Sequence, residues 1–468
     1  MAIETEVLVI GSGPGGYVAA LKLGKLGKKT LLVEKDRLGG VCLNSGCIPS
    51  KAMIHIAGQV HKLRKAKAQG LEAPDLRLTW SKVVDWKDLM VQGLNRGIAT
   101  LEKGNGVTVM AGTARLTGAH EAEVTTPAGK ESVFFQQAIV VTGSRPISIP
   151  GFDIDGTRVI SSTEALALRE VPGRLLVIGG GIIGLELGTV FAKLGSQVTI
   201  VEFLPQILTG VETDLAAPVA RGLQRMGVTV WTSSKAKGFK TSAGGLEVSI
   251  ETPEGDKMVE TDKVLVCVGR AVNSKDLGLE ALGIALDPKG HILVNQHYQT
   301  KQPNIYAVGD VIGPPYLAHK ASREGVLAAL HIAGKADEPR GAIPAAIFTD
   351  PEIAAVGESE TEARARGAEV ITGRFPFSAL GKAQAMRESE GFVKIVADKS
   401  SHKILGGAIV GPEAADIIGE LCLAVRVGAT LEDLGSTVHP HPTLGEAISE
   451  AAEACLGQAL HILTPSRV

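Results

Sequence analysis

No apolar run in this 468-residue chain approaches the ~18 residues that a bilayer-spanning helix needs, so an integral helical membrane protein is excluded. Neither sign of charge is in excess: 48 Lys and Arg stand against 50 Asp and Glu, a net charge of −2. That balance gives no electrostatic footprint for nucleic acid or a membrane surface, and neither is expected as a partner. The one basic run, His61-Lys62-Leu63-Arg64-Lys65-Ala66-Lys67, reads as the wet face of a helix. The first apolar run begins within a few residues of Met1, which is expected to leave no room for a signal or transit peptide and points to the cytoplasm. Cysteine is scarce and odd in number, at five. Cys267, Cys422 and Cys455 are isolated in apolar surroundings and read as small core residues. No further Cys or Cys/His pair lies at ligand spacing near the other two, so no metal site is expected.

What is present is glycine, 57 residues of it, which implies many tight turns and close approaches of backbone to ligand. The length predicts two to four domains. The two remaining cysteines sit in Gly39-Gly40-Val41-Cys42-Leu43-Asn44-Ser45-Gly46-Cys47-Ile48-Pro49-Ser50-Lys51. Pro49 suits the first position of a helix whose apolar pattern runs on through Leu63. That places Cys47 at a helix N-terminus, where the partial positive charge favours a thiolate. Two small residues that happen to be close, or a structural disulfide, are the competing readings. An intracellular chain disfavours the structural disulfide, and the flanking motifs favour a redox-active dithiol.

Those motifs come as a repeated unit. Glu6–Ile10 is an apolar run, Gly11-Ser12-Gly13-Pro14-Gly15-Gly16 a glycine turn, then a helical pattern, then a second run Thr30–Val33 ending in Glu34. Gly11 permits a tight turn, Gly13 the approach of backbone to a pyrophosphate, and Gly16 close helix–strand packing. The helix N-terminus receives the phosphates, and Glu34 the ribose diol. The unit recurs at Leu175–Ile178, with Gly179, Gly181 and Gly184 in its turn and Glu202 at its end. From first glycine to acid is 23 residues in both copies (11 to 34, 179 to 202). The bland alternative is a glycine-rich turn in an ordinary α/β sheet, and it does not account for the repeat. Two dinucleotide sites and a dithiol predict electron traffic between a dithiol, a flavin and a nicotinamide. The dithiol follows the first unit, which assigns FAD there. Glu202 is followed by Phe203-Leu204-Pro205, with no cation to neutralise a 2′-phosphate, which assigns NAD rather than NADP to the second.

Between and beyond these units lie an amphipathic helix at 83–103, strands near 107–110, 122–125 and 133–135, and a boundary marked by Pro146 and Pro150. Residues 226–268 read mostly as strands and turns. Asp310, in Tyr306-Ala307-Val308-Gly309-Asp310, suits a polyol such as ribitol, or is simply a turn aspartate. Residues 345–468 alternate strands (near 353–356, 392–397 and 404–411) with helices and lack a dinucleotide fingerprint. Within them stands His439-Pro440-His441-Pro442-Thr443-Leu444-Gly445-Glu446. A histidine there suits proton transfer to a thiol, with Glu446 orienting it. Thr443-x-x-Glu446 also fits a capping box opening a helix Leu444–Leu456, and both readings can hold at once.

Taken in order, the first glycine unit, CLNSGCIPSK at 42–51, TGSRP at 142–146, the second unit, VGR at 268–270, YAVGD at 306–310 and HPTLGE at 441–446 resemble the flavoprotein disulfide reductases over nearly the whole chain. The IPSK ending is similar to the branch of that family that oxidises dihydrolipoyl groups; VPKK is typical of glutathione reductases. The resemblance implies an α/β fold: an FAD-binding Rossmann-like domain at 1–147, an NAD-binding one at 148–274, a central domain at 275–344 completing the FAD site, and a C-terminal α+β dimerisation domain at 345–468. It implies Cys42 as the interchange thiol, Cys47 as the thiolate beside the flavin, and His441 with Glu446 as the acid–base arriving from the other subunit of a homodimer. Lys51 is implied to pair with Glu186 near the flavin, and cofactor contacts are implied at Thr142, Gly143, Gly269, Arg270 and Asp310. The implied partners are lipoyl domains with the core of a 2-oxoacid dehydrogenase complex, or a glycine-cleavage lipoyl carrier. The chain departs from the family pattern at Val41, Ser45 and Pro440, which touches the tuning of the flavin site and the stiffness of the turn before His441. The alternative is a sister oxidoreductase of mercuric or glutathione type; the C-terminal cysteine pair of mercuric reductases is missing here.

Overall fold

The strands of the two repeated units are apolar on both faces, as strands buried under helices must be. In the computed structural model, which describes residues 3–336 and 341–463, each unit builds its own parallel sheet. Residues 337–340 of the expected 275–344 segment and 464–468 of the expected 345–468 segment lie outside the described residues, as do residues 1–2.

In the first sheet Ile3–Ile10 is central. It pairs in parallel with Thr30–Glu34 on one side (Ile10 opposite Val33) and Gly129–Val140 on the other (Leu8 opposite Ala138). Thr108–Ala111 extends one edge and the antiparallel strands Glu121–Thr126 and Thr113–Gly118 the other. Ile305–Ala307 returns from far along the chain to pair with Gly129–Val140, which carries Asp310 into the first unit. The second sheet runs Thr229–Trp231, Gln197–Val201, Arg174–Ile178, Lys263–Val266, Val159–Ile160, all parallel. A separate antiparallel sheet of Lys235–Ser242, Gly245–Thr252 and Gly255–Thr261 lies beside it. Ser144–Pro146 pairs with Arg270–Val272, so the exits of the two units are stitched together.

The C-terminal segment is a five-stranded antiparallel sheet, ordered Ala345–Ile347, Glu352–Gly357, Ile404–Gly411, Phe392–Asp398, Val370–Pro376. Helices Ala414–Val427 and Glu446–Leu456 pack onto it through Ile418, Leu421, Ile448 and Ala452. Cys455 is buried there, Cys422 packs at the margin, and Cys267 packs against the second unit's core while also facing the main cavity.

Two sequence expectations are corrected. Pro49 is the third residue of the helix Cys47–Lys65, not the first; its missing N–H still falls within the first turn, where no intrahelical acceptor exists. The capping box at Thr443 does not form. The helix opens at Glu446 with Gly445 as its cap, and the Thr443 hydroxyl donates instead to the Pro440 carbonyl (2.8 Å). Half of the box survives, since Glu446 Oε2 accepts the Thr443 N–H at 2.7 Å.

One core position is costly. Glu102, near the end of the helix Trp80–Gly104, is fully buried and neither carboxylate oxygen has a partner. Burial pushes its pKa up to about 8. The folded protein therefore holds a proton there that the unfolded chain releases above the ordinary carboxylate range, so stability drops as pH rises toward 8. Glu102→Leu is expected to raise Tm, by ~2–4 °C per kcal/mol gained. In thermal melts the gain should grow between pH 5 and 8; a gain independent of pH would refute the assignment.

Candidate active site

The glycine turns are shaped by what they cannot hold. A Cβ on Gly11 would stand 2.5 Å from the Val141 carbonyl oxygen, and one on Gly16 only 1.9 Å from that of Gly11. The second unit repeats this: Gly179 would meet the Cys267 carbonyl oxygen at 2.5 Å and Gly184 the Gly179 one at 2.1 Å. The third glycine of each turn thus admits the turn's own carbonyl, more than the neighbouring strand that the spacing suggests. Gly13 and Gly181 have nothing within 4 Å, leaving backbone open to a ligand at each helix N-terminus.

Each turn is latched to its acid. Glu34 accepts the Ser12 N–H (2.8 Å), the Ser12 hydroxyl (2.7 Å) and the Asp36 N–H (2.9 Å). Glu202 accepts the N–H groups of Gly180 (2.6 Å) and Leu204 (2.8 Å). A carboxylate offers about four lone-pair sites, so both keep capacity for a ribose hydroxyl.

Both turns open on one cavity of about 2070 Å³. Single-ligand sites typically occupy ~300–1,000 Å³, so this one has room for two dinucleotides. Its wall includes Gly11, Gly13, Glu34, Cys42, Cys47, Lys51, Thr142, Gly143, Gly179, Gly181, Glu186, Glu202, Gly269, Arg270 and Asp310. Gly16 and Gly184 lie behind the wall, under the turns they shape. The set fits FAD and NAD: two open phosphate turns, two acids at strand ends and a third acid, Asp310, on the same cavity wall.

Cys42 lies in a short helix, Gly40–Ser45, entered through Gly39 and Gly40 at φ 91° and 58°. Asn44 closes that bend by donating to the carbonyls of Leu38 (2.8 Å) and Gly40 (2.9 Å). Cys47 starts the next helix. The sulfurs stand as a dithiol, and a hydrogen bond between the two side chains couples their protons. That hydrogen bond, aided by the Lys51 charge, outweighs burial and holds the Cys47 thiol down to about 7. Cys42, whose proton is engaged by its neighbour, is pushed up.

Lys51 Nζ sits 2.9 Å from Glu186 Oε2 and 4.2 Å from the Phe348 ring centroid, and Glu186 Oε1 accepts the Phe348 N–H at 2.9 Å. Asp310 accepts the Ser144 hydroxyl; Arg270 donates to the same hydroxyl oxygen (2.7 Å) and to the Ser144 carbonyl (2.8 Å). Thr142 donates to the Asn273 carbonyl at 2.6 Å. Ser144, Asn273 and Phe348 escape the sequence reading. Ser144 stands inside the quoted TGSRP run, but Asn273 and Phe348 carry no local signal.

His441 and Glu446 do not line this cavity. They form their own pair, with His441 Nδ1 2.7 Å from Glu446 Oε1 and the imidazole 78% exposed. Burial raises the Glu446 pKa, but the Thr443 N–H and His441 more than offset it, so the carboxylate is held below its usual range. An ionised Glu446 keeps a proton on His441 Nδ1, so that Nε2 is the ring nitrogen left for proton transfer.

Comparison with known proteins agrees with this layout. Residues 5–325 match the family model described as pyridine nucleotide-disulphide oxidoreductase, and residues 343–452 match that family's dimerisation domain. The chain is 46% identical to a dihydrolipoyl dehydrogenase of Geobacillus stearothermophilus, over 99% of this chain and 98% of that one. It is also 46% identical to one of Thermus scotoductus, over 98% and 99%. Its fold resembles the crystal structure of LpdA from Mycobacterium tuberculosis with TM-score 0.90 and 28% identity, covering 96% of this chain and 99% of that one. It also resembles the flavoprotein disulfide reductase RclA from Escherichia coli, with TM-score 0.85, 24% identity and the same coverage; that likeness bears on the fold alone.

In the reduced protein, thiolate absorbance is expected to appear with a midpoint near pH 7 as Cys47 ionises. Lys51→Met should move that midpoint upward by about one pH unit, since it removes a positive charge that favours the Cys47 thiolate. An unmoved midpoint would detach Lys51 from the thiolate.

Proposed function

The chain belongs to the pyridine nucleotide-disulphide oxidoreductase family, and we propose that it is a dihydrolipoyl dehydrogenase, oxidising protein-bound dihydrolipoyl groups with NAD⁺. The observation that carries this reading is the Cys42–Cys47 dithiol in the wall of the cavity that both glycine turns share. The names of its full-length relatives support the substrate class.

The resting form for turnover is the Cys42–Cys47 disulfide. His441 of the partner subunit removes a proton from one substrate thiol through Nε2. The substrate thiolate attacks Cys42, forming a mixed disulfide and releasing Cys47 as the thiolate that its surroundings favour. The second substrate thiol, deprotonated in turn, displaces Cys42 and leaves the lipoyl disulfide. FAD, when bound, would supply the relay by which the two electrons now on the cysteine pair pass to NAD⁺. Net, one dithiol and one NAD⁺ give one disulfide, one NADH and one proton. Glu34 and Asp310 would hold FAD, and Glu202 the NAD ribose. Lys51, paired with Glu186, lies at the junction of the dithiol and the flavin site.

A homodimer is part of the proposal, because His441 does not line the cavity that holds the cysteines of its own chain. The apolar side chains Val438 (94% exposed), Leu460 (85%) and Leu463 on the same segment favour burial against a second copy. Among the described residues no helix is long and apolar enough to cross a membrane, and a working dithiol suits the reducing cytoplasm. The further partner is a lipoyl group carried on another protein, of a 2-oxoacid dehydrogenase or glycine-cleavage system.

Dihydrolipoamide with NAD⁺ is expected to give rapid NADH formation, and NADP⁺ little. NADH or NADPH with oxidised glutathione or mercuric ion should give almost none; turnover there without dihydrolipoamide activity would move the chain to a sister reductase. Cys42→Ser and Cys47→Ser should each abolish dihydrolipoamide turnover while retaining FAD. His441→Gln should lower kcat by ~10²–10⁴, and Glu446→Gln by less, since the base remains but its tautomer is no longer held.

A further inference from the structure

Outside the chemistry described above, three polar side chains form a continuous chain that ends at the cavity. Asp287 Oδ1 accepts the N–H groups of Lys289 and His291, both at 2.8 Å, which closes the turn 287–291. Its Oδ2 lies 2.7 Å from His291 Nδ1, and His291 Nε2 lies 2.8 Å from the Tyr316 hydroxyl. His291 is only 6% exposed, a rare burial for a histidine and one fully used by two hydrogen bonds. The Asp287 carboxylate accepts only, so a neutral imidazole carries its proton on Nδ1, and its Nε2 accepts from the phenol. The tautomer, and with it the direction of the Tyr316 O–H, is fixed from the Asp287 end.

The segment these residues brace carries Asp310. Ile292 donates its N–H to the Val311 carbonyl (2.9 Å), and the His291 ring lies over Gly313, where a Cβ would stand 3.7 Å from it. Tyr316 itself lines the cavity with Asp310 and Arg270. A half-buried tyrosine on a loop ordinarily has two free side-chain torsions. Here the hydroxyl is anchored to His291, which does not itself line the cavity, so the ring is held at the cavity wall in one orientation.

We propose that Tyr316 is a cofactor-positioning residue of the FAD site, held in place by the Asp287–His291 pair. The inference rests on the reading of Asp310 as a flavin ligand, and adds that the wall beside it is pre-set by this hydrogen-bonded chain. Ordering Tyr316 in advance removes part of the entropy that binding would otherwise cost.

FAD affinity of the apoprotein and the absorbance and fluorescence of the bound flavin test it without reference to turnover. Tyr316→Phe, which removes one oxygen, and His291→Leu should each raise the FAD dissociation constant about tenfold and alter the flavin spectrum, as loss of one ordering hydrogen bond implies. His291→Gln can accept from the phenol and donate to Asp287, and should stay within about threefold of wild type. Wild-type affinity and spectrum in Tyr316→Phe would overturn the proposal. So would a His291→Gln protein as impaired as His291→Leu, because shape rather than hydrogen bonding would then be what matters. Wild-type protein that takes up no FAD would instead overturn the underlying reading of the site.

Discussion

The ion pair between Lys51 and Glu186 joins three parts of the molecule at one point. Lys51 extends from the helix that begins at Cys47, Glu186 from the helix of the second glycine turn, and Phe348 from the start of the C-terminal segment. Burying two charges is expensive unless the geometry is tight and the remaining valences are filled. Here Glu186 is 7% exposed, one oxygen holds Lys51 and the other a backbone N–H, and the ammonium faces an aromatic ring. Removing Lys51 would leave the buried Glu186 carboxylate without its counter-charge. The same positive charge helps to hold Cys47 as a thiolate, so the joint that fixes the relative placement of the two nucleotide turns also sets the reactivity of the dithiol between them.

The glycine turns were readable because their constraint is steric and local. No Cβ fits at Gly11, Gly16, Gly179 or Gly184, and each conflict involves a backbone carbonyl that cannot give way. The helix at 83–103 was readable from its periodicity and lies within a few residues of the structural Trp80–Gly104. Contacts between residues distant in the chain were not readable. Thr142 meets Asn273 and Lys51 meets Phe348 only because separate sheets come together, and asparagine and phenylalanine are too ordinary to advertise such a role. Lys51 with Glu186 came from family resemblance, not from any pattern in the residues.

The histidine cluster shows a different limit. The sequence identified His441 and Glu446 as a pair, and they are one, at 2.7 Å. It also suggested a capping box at the same place. The structure resolves the competition by giving Glu446 both tasks: one oxygen for the imidazole and the other for the Thr443 N–H, while the threonine hydroxyl turns away. A single carboxylate shared this way is oriented by the backbone, and so orients the base.

The exposed apolar side chains beside that pair have a consequence for the life of the chain in a cell. Val438, Leu460 and Leu463 are nearly or wholly uncovered in one copy. A freshly made chain carrying such a surface is sticky until the surface is covered, and in that interval it competes with chaperones and proteases for its own fate. Abundance of the finished protein would then follow the rate at which copies meet as well as the rate at which they are made, and a surplus of solitary chains would not persist.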